Sequence, residues 1–159
     1  MDEPVPDAEA LTPLDPAYVK AVRLRLAFPA AGAVIGAGFL EWAELVPRFA
    51  VLGPVLLAAA IVLTRIPRRR WQARGYRMAA DRLRVVRGLL VRRDTTVPFG
   101  RVQHLDVEQG PIERLYGLGT LVLHTAGNHN ASVRLSGIRH SDAVAMRDAI
   151  RAHVTRASQ

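Results

Sequence analysis

The sequence predicts an α-helical transmembrane hairpin joined to a mainly-β domain, a twisted antiparallel sheet or small barrel closed by a C-terminal helix. Three observations carry this. Two apolar runs without a single charge, Leu26–Leu40 and Phe49–Thr64, lie in the first half of the chain. After Arg70 the pattern changes to short alternating segments broken by turn residues. The last stretch returns to helical spacing, with Ala143, Met146, Ile150 and Val154 on one face behind a Ser141-Asp142 cap.

Composition agrees with this division. The 159 residues are 50% hydrophobic and 23% charged, with 22 basic and 14 acidic side chains. Asp2, Glu3, Asp7, Glu9 and Asp15 place five acids and no base in the first 17 residues, which leaves 22 bases against 9 acids in the rest. All but Lys20 of those bases are arginine. Charge and hydrophobicity so unevenly spread exclude a single uniform soluble globule, and the apolar content excludes a disordered basic tail. The absence of cysteine excludes disulfides, a thiolate zinc site and a cysteine nucleophile.

The apolar runs hold 15 and 16 residues. Each spans about 22–24 Å as helix, short of a hydrocarbon core of about 30 Å. The flanks close the gap: Leu24, Trp42, Leu45 and Ile66 extend the runs, and Arg25 and Arg65 can snorkel. The expected helices cover about 24–45 and 47–66, within a hairpin of residues 20–70. Gly32 and Gly36 have the spacing that lets helices approach closely in lipid. Pro29 and Pro54 are expected kinks. Lys20, Arg23 and Arg25 flank one end and Arg65, Arg68, Arg69, Arg70, Arg74 and Arg77 the other, whereas the loop has Arg48 beside Glu41 and Glu44. The positive-inside rule then puts both termini in the cytoplasm of a multi-pass protein of the cell membrane. Residues 1–19 form an acidic, flexible leader, and residues 71–159 a cytoplasmic domain.

In that domain strands are expected over Trp71–Met78, Arg82–Arg87, Leu89–Val97, Val102–Glu108, Thr120–Thr125 and Ala131–Leu135. Gly127-Asn128-His129-Asn130 is the turn before the last of them. Pro111–Tyr116 is one helical turn closed by Gly117, and the C-terminal helix runs to about Thr155.

The stretch from Trp71 to Gly127 resembles the bacterial pleckstrin-homology-like membrane proteins, the YdbS-like group, and the resemblance extends over nearly the whole chain, from Pro16 to about residue 155. The resemblance is carried by Trp71 with Arg74-Gly75-Tyr76, Asp81-Arg82-Leu83, Arg87-Gly88-Leu89 and Arg101-Val102-Gln103. Gln109–Arg114 and Gly117–Leu121 complete it. It implies a pleckstrin-homology-like domain paired with a transmembrane hairpin, and it implies no reaction.

Candidate sites follow from charge and turns. Arg65–Arg93 holds eleven arginines and one acid. Arg65, Arg68, Arg69, Arg70 and Arg74 form a membrane-proximal collar that orients the hairpin or attracts anionic lipid. Arg82, Arg84, Arg87, Arg92 and Arg93 are a candidate sheet face for lipid or a protein partner. Gln109, Glu113 and Arg114 form a candidate interaction corner, rigidified by Gly110-Pro111. His104 and His124 could meet Asp106 at a metal, but without zinc-motif spacing ordinary sheet histidines are expected. Gly117-Leu118-Gly119 runs from helix to strand, opposite to a phosphate loop. No catalytic constellation and no cofactor is expected, and no nucleic acid partner, for want of interleaved aromatics and because the chain is tethered to the membrane. The expected function is a non-enzymatic interaction and assembly module, self-associating or binding another membrane protein. An anionic-lipid reader is the alternative and a membrane-anchored enzyme a remote one.

Overall fold

A long helix, α1 (Ala17–Trp42), rises from the domain and returns as α2 (Leu52–Gln72). The computed structural model describes residues 10–89, 91–125 and 132–157. Residues 1–9 of the acidic leader and the expected turn Gly127–Asn130 lie outside these.

The less exposed stripe on α1 runs Val22, Leu26, Ala30, Val34, Ala37 and Glu41, at helical spacing, and α2 packs along it. Gly32 and Gly36 lie off this stripe: a Cβ at either would meet open space. They do not mediate the α1–α2 contact expected of them, because Ala37 and its neighbours on the stripe already make it. At the far end Glu41 folds over the start of α2. Its carboxylate accepts the Leu52 amide at 2.8 Å and the Val51 amide at 3.3 Å, satisfying two orphan donors of a helix with no side-chain cap of its own. Pro54 falls in the first turn, where its missing N–H is no loss.

Pro67 does not end α2. A proline inside a helix leaves the carbonyl four residues earlier without its donor. That carbonyl belongs to Leu63, and Arg23 of α1 donates its Nε to it at 3.2 Å. The helix therefore continues through Arg68, Arg69 and Arg70 to Gln72. Trp71, expected to open a strand, is helical, and its indole donates to the Leu14 carbonyl at 2.8 Å.

The strands form two antiparallel sheets. The first has the order β1 (Thr12–Pro13), β2 (Gly75–Met78), β3 (Arg82–Arg87) and β4 (Arg93–Pro98). The second has β5 (Val102–Glu108), β6 (Leu118–Thr125) and β7 (Ser132–Arg139). A 3-10 turn at Phe99–Arg101 joins them, and the short helix α3 (Pro111–Leu115) connects β5 to β6. Helix α4 (His140–Ala157) packs on the second sheet and this turn, burying Ala143, Met146 and Ile150. These apolar positions are the ones the helical spacing predicts.

Because β1 precedes the hairpin and pairs with β2 immediately after it (Thr12 opposite Tyr76, Pro13 opposite Gly75), the helices emerge from between adjacent strands of one sheet. Residues 10–19 are not a loose leader. Leu14, Tyr18, Ala21 and Val22 belong to the same buried cluster as Leu83, Val97, Phe99, Leu121, Leu135 and Ile150. The domain is thus completed from both sides of the hairpin, and residues 71–159 lack part of its core.

Candidate functional site at the hairpin–domain junction

Four sets of contacts hold the junction. Asp15 accepts the Ala17 amide at 2.8 Å, capping the start of α1, and receives Arg139 Nε at 2.8 Å. Burial pushes the Asp15 carboxyl upward, but the Arg139 hydrogen bond, the Ala17 amide and the Arg139 charge outweigh it and leave its pKa lowered. The Asp15 amide donates to the Gly137 carbonyl at 3.0 Å, tying the leader to the edge of β7.

Tyr18 lies against Gly137. A Cβ there would fall 2.5 Å from the ring, and the Gly137 φ of +88° is one that L side chains rarely adopt. The Tyr18 hydroxyl accepts Arg74 Nη1 at 2.6 Å, and the guanidinium carbon lies 5.3 Å from the ring centroid. Arg74, expected in the lipid-facing collar, is therefore partly buried and joins the two helix roots. Arg65, Arg68, Arg69 and Arg70 are exposed around α2.

The corner at Gln109–Arg114 turns inward. Gln109 Nε2 donates to the Leu118 carbonyl at 2.8 Å. Glu113 accepts the Gly110 amide at 2.9 Å, the Thr120 hydroxyl at 3.2 Å and Arg25 Nη2 at 3.1 Å. A residue read as displayed thus clamps α3 to β6 and to α1, while Arg114 stays exposed.

The five arginines expected on one sheet face do not share it. Side chains alternate along a strand, so Arg82 and Arg84 point outward while Arg87 follows Leu83 and Val85 on the core side. Arg82 is bidentate to Asp81 and Arg84 to Asp94. Hydrogen bonding from the two arginines lowers the pKa of both aspartates. Arg87 lies opposite Arg93 across β3–β4, and Arg92 is exposed just before β4.

On the second sheet His104 and His124 face each other across the strands and contact the two oxygens of Asp106, at 2.9 and 3.3 Å. Among the described residues no cluster of three or more His, Asp or Glu side chains is arranged to hold a metal ion.

Beyond the junction the hairpin carries large apolar side chains into open space: Phe28, Ile35, Phe39, Leu56, Leu57 and Ile61 are exposed, and Trp42 is 79% exposed. One helix among the described residues, α1, is long and apolar enough to cross a membrane. Antiparallel sheets, a closing C-terminal helix and an apolar helix rooted in their core define a membrane-associated pleckstrin-homology-like module. The chain belongs to the bacterial PH domain family, whose model matches residues 19–154, from the root of α1 through the C-terminal helix. It is similar to the UPF0699 transmembrane protein YdbS of Bacillus subtilis (strain 168), 31% identical over 101 residues that cover 63% of this chain and 62% of that one. The chain thus spans about three fifths of that relative's length. No solved structure matches the chain.

Among the residues sequence reading missed, Tyr18, Gly137 and Asp15 are the most consequential. Their signals were a lone aromatic at a helix start, a glycine inside a strand pattern and an acid two residues before that helix, each locally unremarked.

Proposed function

We propose that the protein is a non-enzymatic assembly module of the cell membrane, which holds its pleckstrin-homology-like domain in a fixed attitude beneath the inner leaflet. Its partner is a second copy of itself or another membrane protein. The observation that carries this reading is the continuity of α1: the same helix buries Tyr18, Ala21 and Val22 in the domain core and exposes Phe28, Ile35 and Phe39 some turns later. A domain meant to search the cytoplasm needs a loose tether, and this one has none at the root of α1. In this reading α2 crosses as well, since Leu52–Thr64 is uncharged and the four arginines that follow suit a cytoplasmic exit. Both termini then face the cytoplasm, and the Glu41–Val51 end faces outward.

Two experiments test this. Fusion reporters at Arg48 and after Gln159 should report outside and inside respectively; the opposite pattern would overturn the topology. In mild detergent or lipid nanodiscs, native mass spectrometry should give assemblies at multiples of 17.4 kDa or with a co-purifying membrane protein. A strictly monomeric mass, together with no adduct after cross-linking in native membranes, would remove the assembly reading.

A further inference from the structure

A cavity of about 140 Å³ opens at the junction, where the edge of β7 separates from β2 and β3. Leu14, Gly75, Arg74, Arg87, Arg134 and Ser136 are among the residues that line it. The three guanidinium groups are unequally satisfied. Arg134 is paired with Glu108. Arg74 donates to a neutral phenol, Tyr18. The half-buried Arg87 guanidinium has no hydrogen-bond or ion-pair partner among the described residues. Its cross-strand neighbour is another cation, Arg93, and like charges directly opposite destabilise a sheet. Partly desolvated cations without counter-charges call for an anion, and a guanidinium fork matches the oxygens of a phosphate.

We infer that this cavity binds the phosphate of an anionic glycerophospholipid, with Arg87 as its principal donor and Arg74 and Arg134 at its sides. Two features favour lipid over free phosphate. The cavity lies at the roots of both helices: Leu14 is three residues before α1 begins, and Arg74 two residues after α2 ends. Beside it the β3–β4 tip presents Leu89 and Val91, the latter 72% exposed, between Arg87 and Arg92. Apolar side chains among arginines suit the boundary between headgroups and acyl chains. At Gly88, φ is +129° and a Cβ would lie 1.8 Å from the Val91 carbonyl oxygen, so no side chain fits at that position. This inference stands apart from the assembly reading, because a lipid site needs no protein partner.

The test uses the full chain purified in mild detergent, titrated separately with short-chain phosphatidylglycerol, short-chain phosphatidylcholine and inorganic phosphate, with binding read by calorimetry. Phosphatidylglycerol should bind at least tenfold more tightly than either of the others. Arg87→Gln should weaken it about tenfold and Arg87→Lys less, while Arg156→Gln, on the far end of α4, leaves it unchanged. Melting without lipid checks that each variant is folded. Equal binding of phosphatidylcholine, or equal effects of Arg87→Gln and Arg156→Gln, would overturn the site. Inorganic phosphate binding as tightly as phosphatidylglycerol would overturn its assignment to lipid. Monomeric protein that still binds phosphatidylglycerol through Arg87 would support the site while removing the assembly reading.

Discussion

Replacing Gly137 by alanine sets two physical effects against the contact that locks α1 into the domain. At φ +88° the new Cβ is strained against its own backbone, at about 1–2 kcal/mol. It also falls 2.5 Å from Tyr18 Cδ2, and forcing an extra carbon into a packed contact costs about 1–3 kcal/mol. Together these give about 2–5 kcal/mol, a large part of a domain's total stability of about 5–15 kcal/mol. At about 2–4 °C per kcal/mol for a chain of this size, the melting point should fall by roughly 4–20 °C. The assay is thermal unfolding of the full chain in detergent, followed by tryptophan emission. Tyr18→Leu supplies the second arm. In that background the ring is gone, and Gly137→Ala should cost only the backbone strain. If alanine costs the same with and without the Tyr18 ring, the two residues do not touch and the locked junction is wrong.

Other predictions concern the same junction. Glu113→Gln loses the charge that holds Arg25 and weakens its bonds to Gly110 and Thr120; it should destabilise by about 1–3 kcal/mol in urea titration, and a neutral result would make the Arg25 bridge incidental. Trp71→Phe removes the donor to the Leu14 carbonyl together with part of a ring packed on the core, and should cost about 1–3 kcal/mol, read the same way; no loss would make both contacts incidental. The carboxyls of Asp15, Asp81 and Asp94 have lowered pKa values in the folded chain. Groups that bind protons more weakly when folded stabilise the fold above the ordinary carboxylate range, and that contribution disappears as pH falls through their lowered values. The melting point should therefore drop below about pH 4, and Asp15→Asn should flatten that drop; an identical acid profile in the variant would contradict the Arg139 pairing. A fragment of residues 71–159 lacks β1, Leu14, Tyr18, Ala21 and Val22, and should show poor amide dispersion in NMR spectra; a well-folded fragment would show that the hairpin roots are dispensable.

Much of the domain was legible because its signals are local. The strand Val102–Glu108 and the turn at Pro111 were expected from alternation and from Gly110-Pro111, and they occur where expected. Helix α4 followed from its 3.6-residue stripe. The misread parts depend on distant partners. Pro67 reads as a helix end until Arg23, far away in sequence, supplies a donor for the Leu63 carbonyl. Thr12–Pro13 is too short to announce a strand, and becomes one only because Gly75 and Tyr76 return beside it across the whole hairpin. The scatter of these arginines over two faces was hidden for a different reason. Counting charge along β3 ignored which side each residue faces and which acids, Asp81 and Asp94, lie within reach. The inward bonding of Glu113 was hidden likewise, since nothing nearby reveals that Arg25 and Thr120 hold that carboxylate.

The central claim is that the membrane helix and the domain are one rigid body. The chain has no cysteine, so two introduced at the exposed positions Ala43, beyond the end of α1, and Arg101, in the domain, can be spin-labelled alone. Pulsed electron paramagnetic resonance in lipid nanodiscs should return a single narrow distance distribution between them, unchanged when Arg65 and Arg68 are neutralised. A broad distribution, as from a domain swinging on a flexible tether, would contradict the account.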